Sequence, residues 1–141
     1  MAMVKAFSYG SGSIEIAKVL QFHKVDYLAV AYTDEGIDLR KAGISLPIMI
    51  LNIEEENFDA LIEYNLEPEI FSFIIYKAFH QYLSQQGISD FPVHIKLNTG
   101  MNRLGFEVDE ADELAILLST NKTMLVKSVL SHLAASEAAE H

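Results

Sequence analysis

Three stretches of this chain combine residue types and spacings that could do chemistry. In the first, Lys5 lies between Val4 and Ala6, with Tyr9, Gly10 and Gly12 close behind. A lysine in apolar surroundings pays for its charge in lost hydration, and an amine of lowered pKa is the one that condenses with a carbonyl cofactor. A lysine at a strand end that extends its head to water accounts for the same residues. The Gly10-x-Gly12 turn has no third glycine and no Gly-Lys-Ser/Thr after it. It therefore fits neither a dinucleotide fingerprint nor a P-loop, and reads as a tight strand-to-helix connection. Tyr9 reads either as a hydrogen-bond donor to a phosphate or as a packing tyrosine.

In the second stretch, Lys96 and Arg103 set two cations around Thr99-Gly100-Met101-Asn102. The planar guanidinium can orient an anionic oxygen. A solvated pair that offsets an acidic surface is the alternative. In the third, Ser131 is followed by His132, which could act as base, ligand or orienting partner, or only as a satisfied structural histidine. His23, His80, His94 and His141 follow no metal-ligand spacing, and the carboxylates fall on helix faces, so no metal is assigned.

The elements that must position these residues alternate between short apolar runs and amphipathic stretches. Met3 to Ala6 reads as a strand, and Ile14, Ala17 and Leu20 give helical spacing over Ser13 to Lys24. Tyr27 to Tyr32 is apolar enough for a strand covered on both faces. A helix capped at Thr33-Asp34 runs through Lys41 to Gly43, and Ile48 to Leu51 is the third strand. The acidic run Glu54-Glu55-Glu56 opens a helix to about Tyr64, where its charge suits the positive end of the dipole. Then come a strand over Glu69 to Phe73, a helix from Ile75 to Gln86 stopped by Gly87, and a strand over Val93 to Leu97. A helix over Glu110 to Leu118 and a strand over Val126 to Ser131 complete the series. Strands separated by helices in this rhythm predict parallel βα units. Lys5, Lys96 and Ser131-His132 all fall at strand ends, where such folds gather reactive groups.

Composition bounds the function. The chain has 141 residues, half of them hydrophobic, which is enough for a core, and no cysteine, which removes disulfides, thiolate metal sites and a cysteine nucleophile. A formal charge of −10 disfavours nucleic acid and anionic lipid as partners. No run of about 18 apolar residues could span a membrane, and no signal peptide opens the chain, so a cytoplasmic location is expected. The first strand starts almost at Met1, and only Ala134 to His141 follow the sixth. Six βα units exceed half of an eight-unit barrel, which takes about 250 residues. A doubly wound open sheet is the other architecture this order allows. The chain reads as a piece of something larger.

At the same three places the sequence resembles alanine racemase. Val4-Lys5-Ala6-Phe7-Ser8-Tyr9-Gly10-Ser11-Gly12 is close to the family's V-K-A-x-x-Y-G-x-G motif. His94-Ile95-Lys96-Leu97-Asn98-Thr99-Gly100-Met101-Asn102-Arg103-Leu104-Gly105-Phe106 is similar to its K-x-D-T-G-M-x-R-x-G-F stretch, and Ser131-His132-Leu133-Ala134 to its S/T-H-F/L-A. Tyr27 to Ala31 with Asp34-Glu35 has the look of its second strand and helix.

The resemblance implies an α/β fold of parallel βα units, about six of the eight of a TIM (β/α)8 barrel and incomplete at both ends. Residues 1–141 would be part of the N-terminal cofactor-binding barrel domain, without the C-terminal β-domain. It implies pyridoxal 5'-phosphate as cofactor and alanine as substrate, with D-alanine supplied for peptidoglycan. Lys5 would hold the cofactor as a Schiff base and act as one of two proton-moving bases. Tyr9 would bond the phosphate, Arg103 the phenolic oxygen, and Leu51 would line the pocket. Lys96 matches a lysine, often carbamylated in the family, that steadies the arginine. His132 would support the arginine facing the pyridine nitrogen. The second base would be a tyrosine of the C-terminal domain acting across a homodimer interface, so the fragment alone is expected to be inactive. Its open barrel edge is expected to make it self-associate. Asn98 stands where Asp is usual, and Ser11 where His is common. Two other readings are a non-catalytic pyridoxal-phosphate carrier and an interaction module within a cell-wall ligase fusion. The carrier lacks the Tyr9-Gly10 and Thr99 to Arg103 signatures.

Overall fold

A computed structural model describes residues 1–134; the tail at 135–141, with His141, lies outside the described residues. The chain divides into two compact units, Met1–Glu69 and Ile70–His141.

The first unit is a run of parallel strands with helices between them. Strands β1 (Ala2–Met3), β2 (Leu28–Val30), β3 (Ile48–Ile50) and β4 (Glu67–Ile70) pair in sequence order, with Leu28 opposite Ile48 and Met49 opposite Glu67. Every residue of β2 and β3 is buried, which explains why these segments carry unbroken apolar runs rather than alternation. Helix α1 (Ser13–Phe22) links the first two strands, and α2 (Thr33–Lys41) the next two. Helix α2 has Asp34 and Glu35 in its first turn and Arg40 and Lys41 in its last, so both ends complement the dipole. Gly36 lets α2 lie close to the sheet, because a Cβ there would sit 2.8 Å from Ile50 Cδ1. Arg40 fastens the far end by donating to the carbonyls of Tyr64, Ile44, Leu46 and Asn65 at 2.7–2.9 Å.

In the second unit α4 (Phe73–Gln86) precedes β5 (Phe91–Leu97), and α5 (Ala111–Thr120) precedes β6 (Met124–Ser131). Ser72 caps α4 by accepting from the Ile75 amide, and Gly87 ends it at φ 68°, a left-handed position suited to glycine. Strands β5 and β6 run parallel from Phe91 opposite Met124 to Leu97 opposite Ser131, with an irregularity at Val93/His94. Phe79, Leu83, Val93, Ile95, Phe106 and Leu114 fill its core, and the rings of Phe73 and Phe106 meet edge-on at 5.1 Å. His94 is buried, with Nδ1 2.7 Å from the Ser128 hydroxyl.

Several boundaries differ from the sequence reading: β5 and β6 each start two residues early, at Phe91 and Met124, β2 is confined to Leu28–Val30, α4 starts at Phe73, and three further differences have a local cause. Strand β1 stops at Met3, so Lys5 and Ala6 lie beyond it. Strand β4 spans Glu67–Ile70 rather than Glu69 to Phe73; Pro68 disguises its start, since proline seldom occupies a paired strand, and Phe73 already opens α4. The acidic helix is split into a 3-10 turn, Glu55–Asn57, and α3 (Phe58–Glu63), because Asn57 at φ −106°, ψ 5° departs from helical geometry.

Candidate functional site

Beyond β1 the backbone does something rare. Ala6, Phe7, Ser8 and Tyr9 have φ of 50°, 59°, 49° and 55°, four consecutive non-glycine residues in the left-handed region. Each such residue costs roughly 1–2 kcal/mol against right-handed geometry, so the turn persists only because other groups hold it. Within the turn, the Gly10 and Gly12 amides donate to the Phe7 carbonyl and the Ser11 amide to the Ser8 carbonyl. Gly10 at φ 98° and Gly12 at φ 84° carry the chain on into α1, which no side-chain-bearing residue does readily.

Outside groups pin the start of the turn. Val4 is fully buried, and its amide continues the sheet by donating to Ala29 O at 2.9 Å. The Ser13 hydroxyl donates to Val4 O at 2.9 Å. Glu35, at the start of α2, accepts from the Ala6 amide through Oε1 at 2.6 Å. Its other oxygen accepts from Ala31 N at 2.7 Å and Tyr32 N at 3.0 Å. Lys5 emerges from this clamp half-buried, and Tyr9 is 71% exposed. Leu51, half-buried, follows β3 directly and donates its amide to Val30 O at 3.1 Å. Lys5, Tyr9 and Leu51 thus share the first unit, at the C-terminal ends of strands, where parallel βα folds place their chemistry.

Lys96, Arg103 and His132 belong to the second unit. Lys96 lies near the end of β5, half-buried. A loop leaves at Asn98 and returns at Phe106, closed at its base by Asn98 N to Phe106 O at 2.8 Å and Phe106 N to Lys96 O at 2.9 Å. Asn98 organises the interior of this loop. Its Oδ1 accepts from the amides of Gly100 at 3.1 Å and Asn102 at 3.0 Å, while Nδ2 donates to Glu107 Oε1 at 2.7 Å and Asn102 Oδ1 at 3.1 Å. Gly105 has φ 134°, and a Cβ on it would lie 2.6 Å from the backbone of both Leu97 and Asn98. Only glycine fits that return. The loop displays Arg103 to solvent and is joined to the end of β6 by a hydrogen bond between the Thr99 and Ser131 hydroxyls. His132, exposed, follows at once.

Two residues that hold these segments carry no role in the sequence reading. Glu35 stands three positions beyond Tyr32, the signature of a side chain that returns to cap its own helix, but its third bond, to Ala6, has no local signal. Glu107, the acceptor opposite Asn98, reads in the sequence only as one more surface acid.

The donor set is chemically suited to pyridoxal phosphate. A primary amine matches its aldehyde, an exposed phenol can donate to its phosphate, and a guanidinium matches its phenolic oxygen. Among the described residues there is no group of three or more His, Asp or Glu that could hold a metal ion. No helix among them is long and apolar enough to cross a membrane.

Comparison with known proteins accords with this arrangement. The family described as "Alanine racemase, N-terminal domain" matches residues 1–141. The alanine racemase of Thermodesulfovibrio yellowstonii is 36% identical over 137 residues, covering 97% of this chain and 37% of that protein. That of Clostridium kluyveri is 37% identical over 140 residues, covering 97% of this chain and 35% of that protein. Among solved structures, alanine racemase of Clostridium difficile 630 superimposes with a TM-score of 0.90 at 34% identity, covering 97% of this chain and 36% of that one. The alanine racemase of Bartonella henselae, solved with covalently bound pyridoxal phosphate, gives 0.88 at 27% identity, covering 99% and 41%. The chain spans little more than a third of the length of these relatives. The fold is that of successive βα units of the alanine racemase TIM barrel, and the chain belongs to the alanine racemase N-terminal domain family.

Proposed function

We propose that Lys5 is the cofactor lysine of a pyridoxal-phosphate-dependent alanine racemase, which interconverts L- and D-alanine in the cytoplasm and supplies D-alanine for peptidoglycan. The observation that carries this reading is the presentation of Lys5 at a strand end by a clamped left-handed turn, with the exposed Tyr9 four residues on. When bound, the cofactor supplies an electron sink that makes the substrate Cα–H acidic. The protein's work is then to place charges and move a proton. Lys5 Nζ takes or returns that proton on one face. Tyr9 donates its hydroxyl to the phosphate, Arg103 its guanidinium to the phenolic oxygen, and Leu51 lines the pocket. Lys96 steadies Arg103, and His132 orients a further arginine of the full-length protein.

Racemisation requires a second base on the opposite face of Cα. By the family resemblance that base is a tyrosine of the C-terminal domain, brought to the site in a homodimer. Residues 1–141 by themselves therefore carry one base of two and racemise alanine no faster than free cofactor does. Their exposed apolar side chains, such as Phe7 and Ile74, support self-association of the isolated chain.

The test is chemical. The chain is mixed with pyridoxal phosphate, reduced with borohydride and mapped by peptide mass. Selective modification of Lys5, lost in Lys5→Ala, is the expected result. Modification spread over the surface lysines would overturn the assignment of Lys5.

A further inference from the structure

The two peptide groups that flank Lys5 are each held by a distant side chain, and the mechanism outlined above uses neither of those side chains. On the N-terminal side, the Val4 carbonyl accepts from the Ser13 hydroxyl at 2.9 Å. On the C-terminal side, the Ala6 amide donates to Glu35 Oε1 at 2.6 Å. Between these two bonds lies only Lys5. Everything after it for four residues is in a left-handed conformation that local preference opposes. Backbone so disposed relaxes unless it is fixed from outside, and here the fixing points bracket one residue.

Glu35 is suited to this task because it is itself fixed. Its Oε2 is engaged by the Ala31 and Tyr32 amides at the junction of β2 and α2. The β2 backbone beneath it is fully buried, and Val4 N is tied to the same strand through Ala29 O. The carboxylate is a rigid strut from the end of β2 to the peptide after Lys5. A charged acceptor makes each of these bonds stronger than a neutral one would.

We propose that Glu35 and Ser13 are positioning residues for the cofactor lysine: they fix the direction in which the Lys5 amine leaves the backbone. The proposal rests on the reading of Lys5 as the cofactor lysine. It makes a particular prediction for Glu35→Gln. Three N–H groups face the carboxylate, two at Oε2 and one at Oε1. A glutamine has one carbonyl oxygen, and it satisfies more donors by turning that oxygen to Ala31 and Tyr32. Its NH2 then faces the Ala6 N–H, so the cap of α2 survives while the strut to the lysine turn is lost.

The experiment compares the full chain with its Glu35→Gln and Ser13→Ala variants by two readouts. Amide hydrogen exchange without ligand reports the clamp itself, and borohydride trapping of pyridoxal phosphate with peptide mapping reports the Lys5 amine. In Glu35→Gln, exchange at Ala6 should rise about tenfold while Ala31 and Tyr32 stay protected. Trapping at Lys5 should fall several-fold, with no change at the surface lysines. Ser13→Ala, which leaves α2 intact, should also lower trapping at Lys5. If the wild-type chain traps the cofactor on Lys5 and both variants do so equally well, the positioning role is overturned while the assignment of Lys5 stands. If the wild-type chain shows no preference for Lys5, that assignment fails and the positioning role falls with it.

Discussion

Asn98 occupies a position where the family motif usually has aspartate, and its surroundings explain why an amide suits this chain. Oδ1 accepts from two loop amides, as an aspartate oxygen would, but Nδ2 donates to Glu107 Oε1 at 2.7 Å. Asn98→Asp keeps the first function and reverses the second, since two carboxylates then face each other. A lost hydrogen bond to a charged group is worth about 1.5–3 kcal/mol. Two unit charges at that separation repel by about 1.5 kcal/mol even with the dielectric of water. Glu107 is exposed and can swing away, which removes most of the repulsion but not the loss of the bond. We therefore expect a loss of about 2 kcal/mol in folding stability at neutral pH, measured by urea denaturation. Adding Glu107→Gln exchanges donor and acceptor and should bring the protein back to within about 0.5 kcal/mol of wild type. A single variant as stable as wild type at pH 7, or a double variant no better than the single, would refute this account of the loop.

Two further predictions follow from backbone and burial. Gly105→Ala, which puts a Cβ 2.6 Å from main-chain atoms at φ 134°, should cost about 3 kcal/mol in urea denaturation and free the loop that carries Arg103; a variant within 0.5 kcal/mol of wild type would count against the closed loop base. The Tyr27 hydroxyl is pushed up to about 12 by burial and by the neighbouring Glu67 carboxylate, so ultraviolet titration should show it still protonated at pH 11. Its folded pKa lies above its unfolded one, so the stability it contributes is intact below about pH 10 and lost as pH rises from there to about 12. Tyr27→Phe should abolish that step; its persistence would place its origin elsewhere.

The regular parts of the fold are legible because local and tertiary demands agree there. Thr33–Lys41 has acids at its start and bases at its end, and Gly87 has the conformation that a stop signal at Gln86 requires. Strands Leu28–Val30 and Ile48–Ile50 fall inside the apolar runs that announce them. The lysine turn shows the opposite case. Val4-Lys5-Ala6 reads as strand from its residue types, and nothing in Ala6, Phe7, Ser8 or Tyr9 signals positive φ. Its first amide is held by Glu35, 29 residues away from Ala6 in sequence. Strand β4 is a similar case: Pro68 contradicts local strand preference at its second position and is accommodated by tertiary packing, so the strand starts two residues before the point its residue types suggest. For the site, residue types and spacing left Lys5, Tyr9, Arg103 and His132 with bland alternatives, and the family motif gave them roles. The side chains that hold them were not legible from types or spacing.

The segments that carry Lys5 and Arg103 solve one problem in the same way. A reactive group at a strand end must leave regular structure to reach a ligand, and irregular backbone left alone is mobile. In each segment a single polar side chain gathers several backbone amides: Glu35 takes three, and Asn98 takes two while bonding Glu107. In each, a glycine at positive φ permits the return, Gly10 in one and Gly105 in the other. Rigidity is thereby given to non-repetitive chain without a hydrophobic core of its own. It follows that motif residues of the V-K-A-x-x-Y-G-x-G and K-x-D-T-G-M-x-R-x-G-F kind serve two ends. On the proposed reading Lys5, Tyr9 and Arg103 meet the ligand, whereas the glycines and the Asn98 position shape the chain that presents them. A substitution in the second group should disturb binding only as far as it disturbs the loop, and the Glu107→Gln rescue distinguishes that from direct contact.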